Sequence, residues 1–269
     1  MHILLAISIA SSYVFSIYFR QPAALRGQHR DQPAVIRHRI ARVTMLCAGW
    51  VVVVPALLHY WDGLRYYDVI RELGLVPGMG TRTLAQDVAN IAKSALLISV
   101  LYLAVIVDYL RQGPSLAGDV RDGFLTLHGF RDHVFAPLSE ELIYRSLIIT
   151  VLVHGGVSRH TQLLLWTSLL FGIAHVHHGV VLVRTTKLPV GMVVANAGFQ
   201  TVYTTVFGMV AIQVYLWYGS VWCPAVVHAA CNLMGFPAIT VASLAPWQAL
   251  YYVLLLAGVV LFSRLIGLF

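Results

Sequence analysis

The sequence predicts an all-α polytopic membrane protein, with about eight transmembrane helices enclosing an active-site cavity that faces the cytosol. Three observations carry this reading. Hydrophobic residues make up 59% of the chain and charged residues only 11%, whereas soluble domains carry about 25% charge. Residues 188–263 contain no Asp, Glu, Lys or Arg, which no soluble chain of this length tolerates. Finally, two adjacent carboxylates, Glu140 and Glu141, lie with Arg145 inside an apolar run from Val134 to Val153. Ionised side chains at a bilayer centre cost roughly 2.5–3.5 kcal/mol on insertion scales, so such groups face a protein cavity and mark a place for chemistry.

A spanning helix needs about 20 mainly apolar residues. The first candidate, 3–19, has no basic leader and no clear cleavage site, so it reads as a retained helix rather than a signal peptide. The second is 43–61. The third, 88–107, carries Lys93 near one end, where a lysine can snorkel to the interface. The fourth, 134–153, holds the paired carboxylates and is broken by polar residues. The fifth, 161–178, ends in histidines. The sixth, 190–218, is long and contains Gly191, Gly198 and Gly208, so it is expected to tilt or bend. The seventh, 219–237, is again interrupted by polar residues, and the eighth is 246–266. With no repeat, low-complexity tract or soluble linker, the chain reads as one integral-membrane domain over 1–269, with a motif-bearing core at about 130–237. Cys47, Cys223 and Cys231 all lie in apolar segments; an odd number gives no disulfide framework, and each reads as a small buried packing residue.

Charge sets the expected orientation. The net charge of +7 is read as positive-inside bias and not as nucleic-acid binding. The first loop holds Arg20, Arg26, Arg30, Arg37, Arg39 and Arg42 against Asp31 alone. The third adds Arg111, Arg121 and Arg131, and the fifth Arg184 and Lys187. The odd loops thus hold eleven basic residues, and the even loops four: Arg65, Arg71, Arg82 and Arg159. The odd loops are therefore placed in the cytosol and both termini in the lumen. On that orientation Glu140 lies about two turns below the cytosolic surface, at 1.5 Å per residue. His175, His228 and Asn232 fall in the same cytosol-facing layer.

Residues four apart share a helix face, so Glu141 and Arg145 can pair while Glu140, about 100° away, faces something else. Glu141 is then a supporting group and Glu140 the reactive carboxylate. Pro137 fits the first turn of this helix, where a missing N–H matters little. Phe171 shares a face with His175, and His228 shares one with Asn232. His178 alone would be an ordinary interfacial histidine. A carboxylate base, a histidine beside it and a His/Asn donor pair form a hydrolytic set: the base takes a proton from water, and the donors steady the oxyanion on the attacked carbonyl. Other readings of the same groups are an interhelical hydrogen-bond network, a proton-coupled transporter using Glu140 and Glu141 as a relay, and a zinc protease. No HExxH is present, yet His175, His228 and Glu140 are a possible two-His, one-Glu zinc set. Ser139 and Cys231 adjoin these residues without an obvious relay to a base.

EELIYR (140–145), FGIAH (171–175) and HAACN (228–232) resemble the EExxxR, FxxxH and HxxxN motifs of the CAAX protease and bacteriocin-processing superfamily. APLSEELIYRSL, LLFGIAHVHHG, FQTVYTTVFG and HAACNLMGFP are similar to the eukaryotic type II CAAX prenyl endopeptidases, the Ras-converting CAAX proteases. RDQPAVIRHR (30–39) resembles their first cytosolic loop. The likeness covers most of residues 30–237, with Tyr144 standing where Phe is commoner. The resemblance implies an eight-helix protein of the endoplasmic reticulum membrane, glutamate-dependent and needing no metal or other cofactor. It implies that Glu140 activates water with help from His175, that His228 and Asn232 form the oxyanion hole, and that Glu141, Arg145 and Phe171 support the site. The implied substrates are farnesylated or geranylgeranylated CAAX proteins such as Ras-like small GTPases, from which a C-terminal tripeptide is released. Membrane lipid suits such substrates, since a prenyl tail partitions into the bilayer while the peptide stays at its cytosolic face.

Overall fold

The structure, a computed structural model, describes residues 1–113, 115–186, 188–238, 241 and 245–267, apart from the side chains of Arg184 and Thr185. Lys187, counted above among the basic residues of the fifth loop, lies outside them. Regular structure among the described residues is helical throughout. Five helices are long and apolar enough to cross a membrane: Pro33–Asp62, Leu84–Leu101, His160–Val183, Val190–Tyr218 and Ala245–Ile266. The other three expected segments are helical but shorter or interrupted. The all-α membrane architecture is thus present, with five spans that stand on length and composition alone.

The first helix, α1 (His2–Tyr18), packs against α2 (Pro33–Asp62). Pro33 opens α2, where its missing N–H is no loss. Gly63, in the left-handed region at φ 69°, closes it. A short helix, α3 (Tyr66–Glu72), leads to α4 (Leu84–Leu101). The start of α4 is fixed by a capping box, in which Thr83 accepts from the Gln86 N–H and the Gln86 side chain accepts from the Thr83 N–H. The helical path breaks at Tyr102 and resumes as α5 (Leu103–Arg111).

The stretch carrying the carboxylates is not a uniform helix. Short α-helical pieces α6 (Leu116–Val120), α7 (Leu127–Phe130), α8 (Ala136–Glu141) and α9 (Ile148–His154) alternate with wider π-type turns at Arg121–Leu125, Arg131–Phe135 and Leu142–Leu147. Wide turns of this kind are uncommon and concentrate at functional sites. The Leu142–Leu147 turn is buried at every residue, so it is held by tertiary packing.

The remaining helices are α10 (His160–Ala174), α11 (His177–Thr185), α12 (Val190–Tyr218), α13 (Trp222–Met234) and α14 (Ala245–Ile266). The sixth segment is α12, which runs unbroken for 29 residues. Of its glycines, Gly208 serves close approach, as does Gly172 on α10. A Cβ at Gly208 would sit 3.0 Å from the Ser168 backbone, and one at Gly172 would collide with Thr205 on α12. These small residues draw α10 and α12 together.

A backbone clasp fixes the far end. The loop after α3 meets the turn between α12 and α13, where the Val221 N–H donates to the Gly74 carbonyl at 3.1 Å. A Cβ on Gly74 would overlap the Gly219 carbonyl. Trp222 Nε1 donates to the Leu75 carbonyl at 2.8 Å, and Ser146 Oγ to the Leu73 carbonyl at 2.7 Å. Ser146 adjoins Arg145, so the clasp ties the wide turn of the carboxylate helix to the start of the helix bearing His228. Cys47 and Cys223 are buried as expected, whereas Cys231 is only half-buried and faces a cavity. That departure follows from its place beside Asn232, on the open side of α13.

Candidate active site

The wide turn after α8 places Glu141 and Arg145 in the deepest part of the molecule, with side chains 0% and 1% exposed. Arg145 Nε lies 3.0 Å from Glu141 Oε2. The N–H is not aimed at that oxygen, so the contact is an ion pair and not a hydrogen bond. The two guanidinium NH₂ groups are buried without hydrogen-bond partners. In their place, the Phe171 ring centroid lies 4.1 Å from Arg145 Cζ and that of Phe207 5.8 Å away. Desolvated cation–π contacts of this kind contribute roughly 2 kcal/mol or more. Phe171 is therefore a floor for the guanidinium.

Glu141 has a second partner that the spacing of the sequence does not reveal. His228 Nδ1 donates to Glu141 Oε1 at 2.7 Å across the α8–α13 interface. The imidazole is packed between Phe207, at 4.7 Å between ring centroids, and Phe171, at 6.0 Å. That bond fixes the ring, and its Nε2 is turned toward Glu140, 3.9 Å from Oε2. Arg145, Glu141, His228 and Glu140 thus form a connected line running from the core to the cavity.

Glu140 occupies the outer end of this line. Its side chain is 17% exposed, and it lines a cavity of about 610 Å³ together with His175, His228 and Asn232. Glu140 Oε2 is buried without a hydrogen-bond partner among the described residues. His175 Nδ1 donates to the Phe171 carbonyl at 2.8 Å, so that nitrogen carries the proton and Nε2 is the open one. Asn232, exposed at the cavity edge, spends one amide N–H on the Asp132 carbonyl at 2.8 Å and retains the other. All four expected catalytic residues therefore line one cavity, as does Phe171, while Glu141 and Arg145 lie behind them.

Of the neighbouring nucleophile candidates, Cys231 lines the cavity and Ser139 is engaged elsewhere. Ser139 Oγ hydrogen-bonds the Tyr13 hydroxyl at 2.9 Å in the core. Among the described residues, no three His, Cys, Asp or Glu side chains come together as a metal-ligand set. The sequence reading missed the contributions of α1, α2 and the loop between them: Tyr13, Tyr18, Arg30 and Arg39 all line the cavity. Those arginines were read only as orientation signals. The sequence carried no signal of this: it put Arg39 in the loop before a span at 43–61, whereas α2 begins at Pro33.

A family model described as type II CAAX prenyl endopeptidase, Rce1-like, matches residues 122–234. The chain is 31% identical to CAAX prenyl protease 2 of Saccharomyces cerevisiae over 87% of its own length and 79% of the relative's. It is also 31% identical to the Homo sapiens protein of the same name, covering 88% of this chain and 71% of that one. The probable CAAX prenyl protease 2 of Schizosaccharomyces pombe is 29% identical over 98% of this chain. No solved structure matches the chain. Identity of this extent, spanning the carboxylate helix, α10 and α13 alike, places the chain in the type II CAAX prenyl endopeptidase family, a family of membrane peptidases.

Proposed function

We propose that this protein removes the C-terminal tripeptide from prenylated CAAX proteins, Ras-like small GTPases among them, at the cytosolic face of the endoplasmic reticulum membrane. The reading rests chiefly on Glu140: an uncommitted carboxylate oxygen at the cavity wall, facing the open nitrogen of a fixed histidine. Orientation by the arginine-rich first loop gives the cytosolic facing. The names of the relatives supply the substrate class.

The chemistry is hydrolysis of the peptide bond that follows the prenylated cysteine. Water adds to the scissile carbonyl carbon as Glu140 takes its proton, with His175 Nε2 helping to position the water. The carbonyl oxygen becomes an oxyanion facing His228 Nε2 and the spare N–H of Asn232. For donation to the oxyanion, Nε2 carries a proton while Nδ1 donates to Glu141 Oε1. Collapse of the tetrahedral intermediate breaks the C–N bond, and the proton held by Glu140 passes to the leaving amine. Arg145 offsets the buried charge of Glu141, which in turn fixes the His228 ring. The three segments expected to complete an eight-helix bundle are the short α1, the wide-turned stretch at 134–153, and α13; each lies at the cavity and not at the bilayer-facing periphery alone.

Incubation of the purified protein with a farnesylated CAAX peptide, followed by mass spectrometry, tests the reading. Release of an intact tripeptide, unaffected by EDTA, is expected. Intact substrate after prolonged incubation counts against the activity. About one bound zinc per active molecule, lost with activity on chelation, replaces the glutamate mechanism with a metal one.

A further inference from the structure

The mouth of the cavity concentrates positive charge. Arg30, Arg39 and Arg131 all line it; among the described residues its acidic lining is Asp132 besides the catalytic Glu140, and Asp31 lies beside Arg30 and Arg131. Arg131 is already neutralised: it makes a two-point contact to Asp132 at 2.6 and 2.7 Å and reaches Asp31 at 2.8 Å. These contacts also commit both carboxylates. Arg30 keeps only a loose 3.6 Å approach to the shared Asp31. Arg39 is different. Its Nε is buried without a hydrogen-bond partner, and its guanidinium is steadied by the Tyr18 ring, 5.6 Å from Cζ to centroid. A half-buried guanidinium held in place by an aromatic ring, beside a second arginine that is only loosely paired, is arranged to receive an anion.

A wall of rings connects this point to the catalytic residues. The Tyr18 ring lies 5.9 Å from that of His177, His177 lies 4.0 Å from His178, and His178 lies 5.7 Å from His175. The proposed substrate has one obligatory anion near its scissile bond, its own C-terminal carboxylate. Three extended residues separate the two, a reach of roughly 10 Å at 3.3–3.6 Å per residue. We infer that Arg39, assisted by Arg30, binds the free C-terminal carboxylate of the substrate and so measures a tripeptide from the chain end. This inference rests on the endopeptidase reading above. It explains a cut at a fixed distance from the terminus without any demand on the identity of the intervening side chains.

The test compares a fluorescent farnesylated CAAX peptide acid with its C-terminal amide, using full-length protein in phosphatidylcholine nanodiscs. Binding and cleavage are both measured. The amide is expected to bind about 10–100-fold more weakly than the acid, the loss typical of a missing charge-assisted hydrogen bond. Arg39→Gln should weaken the acid by a similar factor, seen in Kd and KM, and leave the already weak amide almost unchanged. Arg39→Lys should recover part of the loss. Equal binding of acid and amide to the wild-type protein overturns the inference, and needs no variant to fold. So does an Arg39→Gln defect of equal size on both peptides, or one that appears only with anionic lipid and so reports a headgroup. Selective binding of the acid without cleavage keeps the carboxylate subsite and removes the protease reading; cleavage of both peptides alike does the reverse.

Discussion

The Nδ1 of His228 lies 2.7 Å from Oε1 of Glu141, joining residues 87 apart in the chain. Through this contact the second carboxylate of the pair orients the histidine that faces the first. The two adjacent glutamates therefore do different work. One is a buried strut with two partners, and the other lines the cavity and is the proposed base.

Glu140→Gln should abolish cleavage and leave the fold intact. General-base groups contribute about 10²–10⁴ in rate, and Glu140 holds no partner closer than 3.9 Å. Purified variant and wild type should melt within about 3 °C of each other. Turnover within tenfold of wild type would assign the base elsewhere.

Glu141→Ala should damage both stability and rate. It strands the Arg145 guanidinium, which is 1% exposed, and frees the His228 ring. Removing one partner of a buried ion pair costs about 3–5 kcal/mol. A thermal melt no lower than that of Glu140→Gln would show that the two glutamates are not divided in this way.

His228→Ala and Asn232→Ala should each lower kcat by about 10²–10³, the usual cost of one oxyanion donor, with substrate binding changed little. The two should differ in stability: His228 is buried and bonded to Glu141, whereas Asn232 is exposed and bonded only to a backbone carbonyl. The double variant should be far less than multiplicatively worse, because the donors act on one charge. Full multiplicativity would mean that they serve separate steps.

Asp31 supplies a pH-dependent tie outside the membrane. Burial opposes its ionisation, but the hydrogen bond and charge of Arg131, with Arg30 and His29 nearby, outweigh it and hold its carboxyl below the usual range. A carboxyl with a lowered folded value adds stability above its unfolded value, about 3.9, and loses it as pH falls through the folded one. The gap in melting temperature between wild type and Asp31→Asn should thus be constant from pH 5 upward and close below about pH 4. Its size should be modest, at most about 1 kcal/mol, because the Asp31 side chain is 38% exposed and solvent screens the pair. A gap that widens on acidification would refute the assignment.

The fold class, and the residues proposed for the site, were written in local sequence. Apolar runs without charge require helices in a bilayer, because backbone groups there find partners only within the helix. Spacing of four placed Phe171 with His175 and His228 with Asn232, since side-chain direction along a helix follows from residue number. Spacing also paired Glu141 with Arg145, even though the backbone between them is a wide turn and not a regular α-helix. What local sequence could not carry was anything set between helices. The Glu141–His228 bond depends on how α8 meets α13, and the wide turn on burial at every residue from Leu142 to Leu147. The arginines of the first loop read as charge in water because a loop gives no hint of what it covers. Only the packing of α1 and α2 against the carboxylate stretch brings Arg39 to the mouth of the cavity, since long-range contacts are fixed by complementary surfaces and not by periodicity.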